Sequence, residues 1–141
     1  MNFKLVRWIL PAAIATCLVA ADKVKMKEVP IKDTPVTSGS KMFQEYCAAC
    51  HGATAKGDGP AAAALKASPG DLTRLTARND GKFPRLKVRA MLDGKEGVTA
   101  HGTREMPIWG SLFRTIGRGD PGVVELRMKN LIDYVESLQG K

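Results

Sequence analysis

The chain has 141 residues, enough for one domain, and its 22 Lys and Arg against 14 Asp and Glu give a formal net charge of +8. Such a charge often indicates nucleic-acid binding, but no basic run is interleaved with aromatic residues, which disfavours that class. With four Phe, two Trp and two Tyr, the chain is short of large apolar side chains, so its domain would gain from a large apolar guest.

Residues 1–21 have the layout of a secretory signal peptide. Lys4 and Arg7 precede an apolar run from Trp8 to Ala21 that closes with small residues. The run has about fourteen residues, short of the roughly 20 that span a bilayer, which disfavours an uncleaved membrane anchor. Cleavage after Ala21 would remove both basic residues and leave a periplasmic protein with a net charge of about +6.

Cys17 leaves a second interpretation of the leader open, in which this cysteine carries a lipid. Thr16 stands where lipoprotein signals usually have Gly, Ala or Ser, so removal of Cys17 with the leader is favoured. Residues 22–37 mix charge with two prolines and lack periodicity, which predicts a flexible linker. Lipidation or an uncleaved leader would tether the domain, predicted over residues 38–141, to a membrane.

Periodicity and capping residues predict an all-α domain with long loops. A first helix is expected over residues 38–50, and a second over residues 60–68, where Pro60 starts a run rich in alanine. Asp71 is expected to cap a short helix. A further helix is expected over residues 84–94, which begin with proline and end with glycine. It places three apolar residues on one side: Leu86, Ala90 and Met91.

The last predicted helix has the clearest signals. Asp120 is expected to cap it, Pro121 to occupy its first position and Gly140 to end it. Apolar residues recur along it every three or four positions, which predicts a buried stripe. The stripe consists of Val124, Met128, Leu131, Val135 and Leu138.

Two cysteines and a histidine lie within five positions, in the run Cys47-Ala48-Ala49-Cys50-His51. A thioredoxin-like disulfide needs a preceding strand, whereas the residues before Cys47 are helical in character. A structural zinc site needs four ligands, and only His101 remains to complete one. The spacing is typical of haem attachment, in which the thiols of Cys47 and Cys50 form thioethers with the haem vinyl groups and His51 ligates the iron.

Met106 is the candidate for the second axial ligand. Pro107 follows it and prevents helix continuation, so Met106 is expected in a loop that reaches the other haem face. A His/Met pair raises the reduction potential. His101 is the alternative and would give a bis-histidine site. Three other methionines are interpreted as too close to the motif or as core fillers: Met42, Met91 and Met128.

Together these residues resemble the class I c-type cytochromes, small exported monohaem electron carriers. The resemblance rests on the motif at residues 47–51 near the start of the domain and on Met106-Pro107 in its last third. It implies a class I cytochrome c fold, with four to five helices wrapped around one covalently bound haem c and with the first and last helices crossing. At the crossing, Gly39 and Phe43 are expected to meet Leu131 and Tyr134.

The resemblance also implies roles around the haem. Pro60 is expected to buttress His51, where a carbonyl of the glycine-rich turn accepts the second imidazole proton. Pro60 can start a helix at the same time. Trp109 is expected to donate its indole N–H to a haem propionate, with plain core packing as the alternative.

The expected function is one-electron transfer between respiratory redox partners, without a small-molecule substrate and without enzymatic activity. The alternative is a cytochrome subunit that stays bound in a membrane respiratory or dehydrogenase complex. Basic side chains near an exposed haem edge are expected to steer acidic partner surfaces. The candidates are Lys56, Lys66, Lys82, Arg85, Lys87, Arg89 and Arg104.

Overall fold

The computed structural model describes residues 31–95 and 106–140, and in these two ranges the chain is helical without strands. The α-helices are α1 (Gly39–Tyr46), α2 (Ala48–His51), α3 (Arg85–Leu92), α4 (Trp109–Ile116) and α5 (Pro121–Ser137). Three short 3₁₀ turns lie between α2 and α3: Ala62–Ala64, Leu72–Arg74 and Ala77–Asn79. The predicted all-α class is confirmed. No helix within the described ranges is long and apolar enough to cross a membrane.

The predicted helix over residues 38–50 is divided into α1 and α2 at Cys47. Ser38 caps α1, because its hydroxyl accepts a hydrogen bond from the Lys41 amide at 3.3 Å. The Cys47 amide donates to the Phe43 carbonyl, and the Cys47 carbonyl accepts from the His51 amide, both at 2.8 Å. The break is therefore confined to Cys47, and the turn that carries the motif remains hydrogen-bonded to the end of α1.

The prediction of a helix over residues 60–68 is wrong, because the only helical structure in that range is a 3₁₀ turn over Ala62–Ala64. The preceding loop is hydrogen-bonded to α2 instead: the Gly59 amide donates to the Cys50 carbonyl at 3.1 Å, and the Ala61 amide to the Ala49 carbonyl at 2.8 Å. These bonds fix the backbone where a helix would start, so tertiary contacts override the helix propensity of alanine.

The helix α4 was missed by the sequence analysis. Its apolar residues nevertheless have helical spacing, at Trp109, Leu112, Phe113 and Ile116, and Gly117 follows its end. The helix begins at Trp109, and Ile108 at the cap position before it makes no capping hydrogen bond, so the usual start signal is missing. Hydrophobic periodicity alone could have found it.

The other predicted elements are present. Asp71 caps the turn Leu72–Arg74 by accepting from the Thr73 amide at 2.8 Å. Asp120 caps α5 by accepting from the Gly122 amide at 2.8 Å. The helix ends at Ser137, before the predicted Gly140. Four stripe residues of α5 are buried, and Leu138 is partly buried against them. On α3 the prediction fails for Leu86, whose side chain is 85% exposed.

The expected crossing of the first and last helices is confirmed. Gly39 packs against the backbone of Asn130, and a Cβ built on Gly39 would lie only 2.8 Å from the Cβ of Tyr134. One turn later the rings of Phe43 and Tyr134 are in contact, with centroids 5.5 Å apart. The fourth expected partner, Leu131, is buried in the same core. Glycine allows the two helices to approach this closely because it has no side chain.

The end of the predicted linker, residues 31–37, lies against the domain. The side-chain amide of Asn130 donates to the Val36 carbonyl at 2.8 Å, and the Tyr46 hydroxyl donates to the Lys32 carbonyl at 2.7 Å. Several predictions fall outside the described residues. They concern the leader, Cys17, the start of the linker, His101 and Arg104.

Candidate functional site

A large apolar cavity lies between α1 and α2, α3, α5 and the residues at the start of α4. The empty space between its walls is about 1240 Å³ when the open solvent at its mouth is included. Among the described residues that line it, most have apolar side chains. Such a cavity is suited to a large apolar guest.

The attachment motif lies in one wall of this cavity. Cys47, Cys50 and His51 all line it, and neither cysteine takes part in a disulfide. Burial, with a smaller contribution from the neighbouring Cys50 thiol, raises the pKa of the Cys47 thiol to about 12. The Cys47 thiol is therefore neutral near pH 7. The turn of α2 places both sulfurs and the imidazole at the same cavity.

The glycine-rich loop after the motif packs against the rear of α2. A Cβ built on Gly59 would lie 2.6 Å from the Ala48 carbonyl oxygen and within contact distance of the next two residues, so only glycine fits. The Gly57 amide donates to the His51 carbonyl at 2.8 Å. Pro60 follows in this loop and is exposed to solvent. The buttressing of His51 by Pro60 stays a prediction.

Met106 and Pro107 line the same cavity, 55 residues after His51 in the sequence. The structure thus brings together the four side chains predicted to hold the haem and its iron. Met91 on α3 also lines the cavity, so its interpretation as a plain core filler was incomplete. Met128 and Met42 are fully buried in the core, as expected of Met128. Among the described residues, two methionines and not one therefore line the cavity.

Trp109 lies in the cavity wall and is also a core residue, with 7% of its surface exposed. Its ring stacks on Tyr46, with centroids 5.4 Å apart and planes inclined by 27°. Both rings contact Phe113, at centroid distances of 5.9 Å. Core packing of Trp109 is thus observed, and its bond to a haem propionate stays a prediction. Tyr46 lines the cavity and was missed, although it directly precedes Cys47.

Two of the predicted steering residues are engaged in ion pairs between α3 and α5. Arg85 contacts Asp133 at 2.7 Å and also Glu136, and Arg89 contacts Glu125 at 2.5 Å. Lys129 and then Arg85 hold the pKa of Asp133 below its usual range, and Arg89 does the same for the pKa of Glu125. The charges of the two arginines are largely compensated within the domain. Lys87, in contrast, is exposed and borders the cavity.

The residues present fit a covalently held haem. The cavity is apolar and larger than the side chains can fill, and two free thiols three positions apart lie in its wall. An imidazole nitrogen and a thioether sulfur are a known axial ligand pair for haem iron. Cys47 and Cys50 would hold the haem, and His51 and Met106 would supply the axial ligands.

An all-α fold with these residues around one apolar cavity defines a class I c-type cytochrome. The family model described as Cytochrome c matches residues 36–139, so the chain belongs to the cytochrome c family. Proteins of this family bind covalently attached haem c with its iron and generally transfer electrons, and this chain is accordingly an electron-transfer haem protein. Searches of curated proteins and of solved structures gave no significant match.

Proposed function

We propose that the chain is an exported one-electron carrier whose haem iron is ligated by His51 and Met106. The observation that supports this most directly is the position of Met106, which lies at the same apolar cavity as His51 although 55 residues separate them. Cys47 and Cys50 hold the cofactor by two thioethers. Covalent attachment suits an exported protein, because the cofactor cannot be lost to the surroundings by dissociation.

The bound haem supplies a single-electron couple between ferrous and ferric iron. The protein's contribution is to keep the surroundings the same in both states. Apolar side chains exclude water from the cavity, and α2 holds His51 on a turn whose backbone is fixed by the Gly59 and Ala61 amides. Two protein ligands leave no position for a substrate, which favours electron transfer over catalysis.

The redox partners are proposed to be proteins with acidic docking surfaces. Among the described candidates, Lys87 at the cavity border is the best-placed cation, since Arg85 and Arg89 are paired with α5. Steered association of this kind is fast, weak and sensitive to salt. Elution of the native protein as a small free species would support a diffusible carrier in the periplasm. Co-elution in a stoichiometric complex would favour the bound-subunit alternative.

The choice of Met106 over Met91 can be tested with two matched variants of the holoprotein. Met106→Ala is expected to lose the absorption band of the bond between methionine sulfur and ferric iron, to lower the reduction potential and to admit carbon monoxide to the reduced iron. Met91→Ala removes the other methionine of the cavity and should keep the band. Loss of the band in Met91→Ala alone would transfer the ligand role to α3.

A further inference from the structure

Arg127 on α5 is a buried cation whose partners lie in the segment before α1. Only 2% of its surface is exposed, and its guanidinium donates to the Asp33 carboxylate at 2.6 Å and to the Thr34 hydroxyl at 3.1 Å. A buried cation that loses its partner is destabilising, because the charge then has neither water nor a counter-ion to compensate it. The segment is therefore bound to the domain. We call residues 32–36 the strap.

The strap is also bonded to the last residue of α1. The Tyr46 hydroxyl donates to the Lys32 carbonyl at 2.7 Å and lies 3.0 Å from the Thr34 hydroxyl, whose residue is itself buried. Asn130 on α5 donates to the Val36 carbonyl at 2.8 Å. The strap thus spans from α5 to Tyr46 and holds the phenol by its polar end.

The ring of Tyr46 links the strap to the segment that carries Met106. It stacks on Trp109, the first residue of α4, which follows Met106 by three positions. Phe113, one turn later on α4, contacts both rings. Because the Tyr46 ring is held in place, the start of α4 is held as well, and with it the short segment that connects Met106 to Trp109.

We infer that Tyr46, held by the strap, is a positioning residue that keeps Met106 in place as the iron ligand. The inference rests on the proposed ligation by Met106. It adds an element mostly outside the family match, which begins at residue 36, whereas Asp33 and Thr34 precede it. On this inference the strap stabilises the cavity wall at Tyr46 and Trp109, in addition to fixing the residues before α1.

The test uses the oxidised full-length holoprotein and measures how fast added imidazole displaces the methionine from the iron. Tyr46→Phe keeps the ring and removes the hydroxyl, so the displacement should become about 2- to 10-fold faster, as expected for the loss of one hydrogen-bonded anchor. Asp33→Asn removes the charge partner of Arg127 and should act in the same direction. Hydrogen exchange of the α4 amides should become faster in both variants.

Two controls separate positioning from general loss of stability. Glu45→Gln removes only the exposed pair with Lys32, whose side chains are 73% and 37% exposed, and should change the displacement rate less than twofold. Val124→Ala shortens a buried residue of α5 that does not line the cavity, so it should lower the unfolding midpoint without a matching increase in displacement.

The outcomes distinguish this inference from the proposed function. If Met106→Ala loses the absorption band while Tyr46→Phe and Asp33→Asn displace at the wild-type rate, the ligand assignment stands and the positioning role of Tyr46 is wrong. If Met106→Ala keeps the band, both are wrong. Faster displacement in Tyr46→Phe and Asp33→Asn, with the displacement rates of both control variants within twofold of the wild type, supports the inference.

Discussion

The helix α5 packs in two regions, and different kinds of structure cover it in each. At the crossing with α1, Gly39 lies directly on the backbone of Asn130, and the contact is helix against helix. At the cavity, α5 contributes Leu131 and Val135, but much of the facing wall between residues 65 and 75 is loop and a 3₁₀ turn. The crossing is complete without a guest. The cavity wall depends on the haem to cover its apolar side chains.

The largest expected difference between the two regions is in their local stability. In native-state hydrogen exchange of the holoprotein, amides of α1 and α5 at the crossing should exchange only through global unfolding, typically at about 5–15 kcal/mol. Amides between residues 65 and 79 should exchange through local openings several kcal/mol lower in free energy, because few helical hydrogen bonds hold them. Equal protection of the amides in both regions would show that the cavity wall does not open independently of the crossing between α1 and α5.

The crossing can be disrupted with one methyl group. Gly39→Ala places a Cβ against the Asn130 backbone, which cannot move without displacing α5, so a loss of about 1–3 kcal/mol in unfolding free energy is expected. Gly70→Ala is the matched control, since its Cβ would meet nothing closer than an Arg78 side chain at 3.9 Å. Denaturant unfolding of both variants measures this. A tolerated Gly39→Ala would contradict the close crossing.

The smallest expected effect concerns the ion pairs between α3 and α5. Their carboxylates, Asp133 and Glu125, have lowered pKa values in the folded state, so the stability they contribute is present above the unfolded pKa and is lost as pH falls through the folded pKa. The side chains of these pairs are between 31% and 61% exposed, so screening by solvent limits each pair to about 0.2–1 kcal/mol.

This effect can be measured by comparing Arg85→Gln with the wild type across pH. The variant should be less stable near pH 7, and the difference should disappear as the pH falls through the lowered pKa of Asp133, the carboxyl group that Arg85 contacts. A difference that persists in acid would mean that Arg85 stabilises the domain by packing and not by charge.

Local chemistry made much of the fold and of the site predictable. The caps Asp71 and Asp120 depend on their own side chains and the next few amides, so the sequence is enough to find them. The same is true of the motif at residues 47–51, whose spacing places its three side chains on one turn. The family match agrees with the haem and with the fold.

The features that were not predictable depend on distant contacts. The alanine-rich run after Pro60 has strong helix propensity, but its backbone is bonded to α2. Tyr46 has no local signal, since its importance comes from the strap on one side and Trp109 on the other. Met91 was interpreted as a core filler because of its helical spacing, and such spacing does not distinguish a core position from a position in a cavity wall.

The central claim is that Cys47 and Cys50 hold a haem covalently at this cavity. The most direct test is the intact mass of the purified protein after denaturation, together with its visible spectrum. A mass that exceeds the polypeptide by one haem, with the spectrum of a six-coordinate iron, is the predicted result. A colourless protein with the mass of the polypeptide alone would contradict the account.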